Sequence, residues 1–296
     1  MKVKTIISLI LTLFAGVTIL QSQQMLKVKG SDTMVNLVQA LAESYMEKYP
    51  EKVISVSGGG SGTGIASIIN RQCDIANSSR EIKTKEVFQA KQNGLDPLQI
   101  PIAIDALAIV VNPNNPVKKL TVEEVGAIYA GKIKNWKEVG GPNKPITLYG
   151  RQPNSGTYDF MKDVVIKGDY SKEMREMNGT SQIVEALKTD ISGIGYVGVG
   201  YLRDAGNEIS PVEIARKKGE KYYDPLNVQD VLNGNYPITR ALYQIVDKKQ
   251  INKNKEVKNF LKFELSEDGQ KIVEEMGFYR LAGKYLEMKN KLGLGF

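Results

Sequence analysis

The sequence predicts an α/β protein whose mainly parallel sheets carry helices on their faces and whose chain divides into two lobes. Three observations predict this. From residue 26 to residue 94, short apolar strands alternate with helical patterns in the order β-α-β-α-β-α. An apolar run over residues 101–113 is longer than the usual strand of about 5–6 residues. Together with a second apolar, glycine-rich stretch at 194–199, it reads as a passage of the chain from one lobe to the other. Finally, serine- and glycine-rich turns recur where a strand ends and a helix begins, the end of such sheets at which ligands bind.

Taken in order, residues 26–29 alternate polar and apolar and form a first strand ending at Gly30. Met34, Leu37, Val38, Leu41 and Tyr45 follow at helical spacing, and Pro50 stops that helix. Residues 53–56 form the second strand. Ile65, Ile68 and Ile69 mark a short helix, residues 73–76 a third strand, and 85–93 a helix closed by Gly94. After the long run at 101–113 come a helix over 120–130, a strand over 146–149 and a helix over 158–166. A late strand at 238–246 and a helical region over 255–276 complete the chain. The expected division is lobe 1 from 25–108 and 201–296, and lobe 2 from 109–200.

The first 24 residues are set apart from this scheme. Lys2 and Lys4 precede an apolar run from Ile6 to Leu20, and Gln21-Ser22-Gln23-Gln24 follows. That is the order of a cleaved secretory signal peptide. The run falls short of the roughly 20 residues that span a bilayer. No cysteine lies nearby, so no lipid anchor on an N-terminal cysteine is expected, and the mature chain is expected to be exported and soluble.

Composition excludes several chemistries. The 296 residues contain no histidine, which removes histidine zinc sites, Ser-His-Asp triads and Cys-His dyads. The single cysteine, Cys73, permits no internal disulfide and reads as a structural thiol. No Ser-x-x-Lys and no nucleotide-binding Gly-x-x-x-x-Gly-Lys-Ser/Thr occurs. An enzyme, a metal site and a cofactor are therefore not expected. Net charge is +7, and +5 once Lys2 and Lys4 leave with the leader. The densest basic cluster, at 216–221, has no interleaved aromatic and reads as a solvated face, not a nucleic-acid surface. A mild positive field suits an anionic ligand.

Three turns carry the candidate site. They are Gly30-Ser31-Asp32-Thr33, the run Ser57-Gly58-Gly59-Gly60-Ser61-Gly62-Thr63-Gly64, and Arg151-Gln152-Pro153-Asn154-Ser155-Gly156-Thr157. Helix starts leave amide N–H groups unpaired, small residues let an anion approach them, and hydroxyls add donors. Each of the first two turns alone is equally a helix cap or a tight turn. The third is stronger, because a guanidinium can hold two oxygens of one anion.

These turns, together with Asp74-Ile75-Ala76-Asn77-Ser78-Ser79-Arg80, residues 101–113, Asn135-Trp136 and Ile194-Gly195-Tyr196, resemble the phosphate-binding protein of the bacterial ABC phosphate uptake system. The resemblance runs in order over nearly the whole mature chain. It implies a two-lobed periplasmic binding fold with the ligand in the cleft, no catalysis, and inorganic phosphate and a membrane permease as partners of a monomer. It places ligand contacts on Ser31, Asp32, Thr33, Ser61, Ser79, Arg151, Ser155, Gly156 and Thr157. Gly60, Arg80, Asp105 and Asn154 are further candidates. One departure stands out: an aspartate of that family, which accepts a hydrogen bond from protonated phosphate, is Ser79 here. The acceptor is then expected at Asp32, or second at Asp105 on the crossing strand, with Arg80 as a possible charge partner. The alternative readings are a receptor for sulfate or molybdate, a phosphate-ester hydrolase, and an adhesive or regulatory protein on the same fold.

Overall fold

The computed structural model describes residues 25–295; the leader assigned to residues 1–24 lies outside them. The first lobe opens with β1 (Leu26–Gly30), α1 (Val35–Lys48), β2 (Ile54–Ser57), α2 (Ser61–Ile69), β3 (Ile75–Ser78) and α3 (Thr84–Gln92). The strand β4 (Pro97–Val111) leads to β5 (Lys119–Thr121), α4 (Val122–Tyr129), β6 (Thr147–Arg151), α5 (Gly156–Phe160), β7 (Arg175–Met177), α6 (Thr180–Thr189) and β8 (Gly193–Gly198). Then follow α7 (Gly200–Ala205), β9 (Ser210–Pro211), β10 (Glu213–Ala215), α8 (Val228–Leu232) and β11 (Thr239–Asp247). The chain ends in α9 (Lys248–Lys253), α10 (Lys255–Glu264), α11 (Glu267–Glu275) and α12 (Gly283–Lys291).

The main sheet has the order β2-β1-β3-β11-β4-β8-β6-β7. Its flanks are parallel: β1 pairs with β2 and β3, and β6 with β7 and β8. The centre is antiparallel, because β11 inserts between β3 and β4, and β4 also runs against β8. The 15-residue β4 is buried after its first three residues, as its apolar sequence requires, with Asp105 the one charge inside it. Residues 97–106 pair with β11 and residues 107–111 with β8, so one strand serves both lobes. The fold is two-lobed α/β.

Several elements differ from expectation in their bounds. The third strand lies at 75–78 instead of 73–76, because the Asp74 carboxylate is used to accept the Lys27 amide at 2.8 Å. Cys73 is buried beside it, and burial pushes its thiol up to about 12. The helix expected over 158–166 starts at Gly156 and becomes a single π turn, Met161–Ile166, that stops at Lys167 with φ +53°. The expected 255–276 helix is two, broken at Leu265–Ser266, where Ser266 Oγ caps α11 by accepting the Gly269 amide.

Beneath the first lobe's strand ends, α10 presents Glu264, fully buried, to Gln244 Nε2 at 2.9 Å. Burial holds the Glu264 carboxyl well above the usual range. A carboxyl whose folded pKa is raised stabilises the fold fully below its unfolded value of about 4.3 and loses that contribution as pH rises towards the folded value. Glu264→Gln keeps the shape without an ionisation. Its Tm is expected to exceed the parent's at alkaline pH, with the gap closing in acid; thermal melts across pH check this.

Candidate anion site at the lobe junction

The site forms where β1, β3 and β6 end and α2 and α5 begin. Gly30 must be glycine: its φ is +145° and a Cβ would lie 2.2 Å from Asn77 O. That close approach lets Ser31 N donate to Asn77 O at 2.9 Å and seats the 31–33 turn on the end of β3. Ser31 Oγ is buried there without a partner, and Thr33 is buried with it.

Asp32 ties the turns together. Its Oδ1 accepts Gly59 N at 2.9 Å, which shapes the glycine-rich loop. Its Oδ2 accepts Arg151 Nη2 at 2.5 Å, across the lobe junction. Tyr201 donates to its carbonyl at 2.5 Å. Gly59 and Gly60 take φ of +110° and +93°, and a Cβ on Gly60 would meet Asn154 O at 2.6 Å, so Gly60 lets the lobes touch.

Arg151 is buried at the end of β6. Nε donates to Met177 O, Nη1 to Thr180 Oγ1, and Nη2 to both Asp32 and Asn178 O. Four of the five N–H groups are therefore committed to protein, against the expectation of a guanidinium forked onto two ligand oxygens. Arg151 thus organises the turns around it, and one Nη1 hydrogen is not used by these four bonds. Its amide donates to Tyr196 Oη at 2.8 Å, and burial pushes that phenol up to about 12.

The hydroxyls converge. Thr33 Oγ1 and Thr157 Oγ1 are 2.8 Å apart, Ser79 Oγ and Thr157 Oγ1 3.3 Å, and Ser61 Oγ and Ser79 Oγ 3.3 Å. Ser61 Oγ also accepts Ser79 N at 3.1 Å. Ser155 caps α5, accepting Thr157 N at 3.2 Å and Tyr158 N at 3.4 Å. Gly156 packs against Ser61 and Ser79. All nine primary candidates thus lie in one connected cluster drawn from both lobes.

The further candidates divide. Gly60 sits at the contact described above. Asn154 is a rim latch: Nδ2 donates to Gly59 O at 2.8 Å, and its carbonyl accepts Gly62 N at 2.9 Å. Arg80 does not face the cluster; it forks onto Glu86 and reaches Asp159 at 2.8 Å, so its charge is used structurally. Asp105 is not a free acceptor. Its Oδ2 lies 2.8 Å from Arg240 Nη2 and its Oδ1 accepts Val199 N.

Arg240, on β11, escaped the sequence reading. It is buried and donates to Ser79 O at 3.0 Å and Thr157 Oγ1 at 3.1 Å. Burial pulls its pKa below the ordinary value against the opposing pull of Asp105. The only signal in the sequence was a lone charge inside each of two apolar runs, Asp105 within 100–111 and Arg240 within 238–246; the structure sets the two opposite in register. A cavity of about 730 Å³ beside the cluster, lined from both lobes, shares only Arg80 and Arg240 with these residues.

A two-lobed α/β molecule with a buried cluster of hydroxyls and guanidinium groups at its lobe junction is a solute-binding protein in class. The family model described as the PBP superfamily domain matches residues 18–268. The phosphate-binding protein PstS of Pseudomonas aeruginosa is 34% identical over 284 residues, 90% of this chain and 86% of that protein. The phosphate-binding protein PstS of Staphylococcus saprophyticus is 32% identical over 271 residues, 90% of this chain and 83% of its own length. The chain belongs to the PBP superfamily and, within it, to the family of these phosphate-binding proteins. Among solved structures, a phosphate ABC transporter substrate-binding protein with bound phosphate from Clostridium perfringens matches with a TM-score of 0.77 and 28% identity, covering 87% of this chain and all of that one. An ABC-type phosphate transport receptor from Vibrio cholerae matches with a TM-score of 0.68 and 26% identity, over 86% of this chain and all of its own.

Proposed function

We propose that this protein captures inorganic phosphate outside the cytoplasm and hands it, unchanged, to the membrane permease of an ABC importer. The observation that carries the reading is the single cluster in which the hydroxyls of Thr33, Thr157, Ser79 and Ser61 form one connected chain drawn from both lobes, with Ser155 capping the same helix start and the Asp32–Arg151 pair joining the turns. A dense set of donors fits the acceptor-only oxygens of a small oxyanion. The ligand leaves as it came, and the chain offers no histidine base or Ser-x-x-Lys pair for hydrolysis. Cleavage of the leader and export as a monomer without a lipid anchor belong to the same proposal. Among the described residues no helix is long and apolar enough to cross a membrane. Hydrogen bonds to charged groups contribute about 1.5–3 kcal/mol each. Several of them, less desolvation and closure costs, support a Kd of roughly micromolar or tighter.

The test is calorimetric titration of phosphate-stripped protein with phosphate and with sulfate. One-site phosphate binding with silent sulfate is expected. Equal heats would make this a general oxyanion receptor, and no heat from phosphate would overturn the reading. Selectivity is assigned to Asp32: each of its oxygens accepts a single protein N–H and keeps a second lone pair, whereas Asp105 Oδ2 is filled by two guanidinium N–H groups, so the Asp32 carboxylate can accept the proton of phosphate and repel fully ionised sulfate. Asp32→Asn is expected to weaken phosphate roughly tenfold and to admit sulfate, narrowing discrimination by about one to two orders of magnitude.

A further inference from the structure

Arg240 stands between the two lobes' contributions to the cluster. The strand register sets it directly opposite Asp105. Asp105 Oδ2 accepts Nε at 2.9 Å and lies 2.8 Å from Nη2, with both residues buried. So braced, the guanidinium has little freedom. Nη1 donates to Ser79 O at the end of β3, and Nη2 donates to Thr157 Oγ1 at the start of α5.

We propose that Arg240, braced by Asp105, is a positioning residue that fills one lone pair of the Thr157 hydroxyl, biases that hydroxyl to donate, and so makes the site select the more highly charged form of its anion. This rests on the phosphate reading above. The argument is proton bookkeeping. A hydroxyl has one proton and two lone pairs, and a guanidinium only donates. With Arg240 filling one lone pair of Thr157 Oγ1, the Thr157 proton must point to Thr33, to Ser79 or to a ligand oxygen. The same logic recurs nearby. The Ser79 amide feeds Ser61 Oγ, and both lone pairs of Ser155 Oγ are filled by the Thr157 and Tyr158 amides. Three hydroxyls are thereby biased to give protons from fixed directions. Such a site favours oxygens that only accept. A monoanionic phosphate brings an additional O–H, which finds donors where it needs acceptors. Because the Arg240–Asp105 pair is itself neutral, its influence passes through Thr157 and not through bare charge.

The test compares phosphate affinity by calorimetry on either side of neutral pH, where phosphate passes from monoanion to dianion. The parent protein is expected to bind the dianion more tightly. Arg240→Gln is expected to lose roughly tenfold or more for the dianion and to flatten that pH preference. Thr157→Val is expected to lose a similar factor, and the double variant to lose no more than Thr157→Val alone. Arg240→Lys restores part of the pH preference. If Arg240→Gln leaves an unpaired Asp105 and fails to fold, Asp105→Asn with Arg240→Gln removes both charges and is read in its place. Unchanged affinity and pH preference in the glutamine variant, or fully additive losses, would overturn the proposal. A parent that binds no phosphate would instead fail the functional reading.

Discussion

Arg151→Ala is expected to weaken phosphate binding by about 30- to 3,000-fold. The range follows from the site's construction. Truncating one partner of a buried, hydrogen-bonded charge pair costs about 2–5 kcal/mol, and each 1.4 kcal/mol is a decade in Kd. Arg151 is buried against Asp32 at 2.5 Å, and its other donors pin Met177 O, Asn178 O and Thr180 Oγ1. The substitution therefore removes a donor, strands the Asp32 carboxylate and frees the β7–α6 connection together. Arg151→Lys supplies one compact charge and cannot span those partners, so a loss of at least about tenfold is expected for it as well. Stability and binding separate in the Asp32→Asn, Arg151→Met double variant. With no unpaired charge left, its Tm should recover most of what Arg151→Ala loses, while phosphate affinity stays low. Competition calorimetry and thermal melts read both quantities. Arg151→Ala binding within threefold of the parent would show that the pair is structural alone.

The turns of this site were legible in the sequence because their chemistry is local. Gly30, Gly59 and Gly60 announce positive φ, and Ser31, Thr33, Ser61 and Ser155 stand at helix starts where hydroxyls cap. What sequence could not supply is how these turns face one another. Arg151 reads as a ligand fork, but its donors are taken by residues of the β7–α6 connection, a segment with no pattern of its own. Asp105 reads as a free carboxylate on the crossing strand. It becomes the counter-ion of Arg240 only because β11 inserts antiparallel between β3 and β4, bringing residues 135 positions apart into register. Alternating strands and helices predict parallel neighbours, and nothing local marks the late strand as the exception. The overreach at Arg80 has the same origin. Glu86 and Asp159 claim its guanidinium, and only the second-lobe position of α5 brings Asp159 near.

Gly156→Ala is expected to abolish tight phosphate binding while leaving the unliganded protein at least as stable. The added Cβ would lie 2.3 Å from Ser61 Oγ, 2.8 Å from Ser61 Cβ and 2.9 Å from Ser79 Oγ. Rotating the Ser61 hydroxyl relieves the first contact but not the second, because Cβ is fixed by the backbone of α2. The lobes must then part by several tenths of an ångström. That separation lengthens the Gly62 N–Asn154 O and Thr33–Thr157 contacts together, and hydrogen bonds weaken steeply outside their preferred geometry. A loss of about 100-fold or more in Kd is expected from several charge-directed bonds made poorly at once. With the lobes parted, as the closure reading has them before phosphate enters, the methyl would clear Ser61 and Ser79, and replacing glycine by alanine at an unstrained φ restricts the unfolded chain by about 0.4–1 kcal/mol. The Tm without phosphate should therefore hold or rise. The stabilisation by ligand, roughly 4 kcal/mol at a thousandfold excess over Kd in the parent, should largely vanish. Gly179→Ala is the matched control, since its Cβ meets nothing within 4 Å. If Gly156→Ala retains the parent's phosphate-dependent rise in Tm, the two lobes do not close at this contact when the anion is bound. A variant that melts normally yet gains nothing from phosphate places the closing surface of the receptor at Gly156, Ser61 and Ser79.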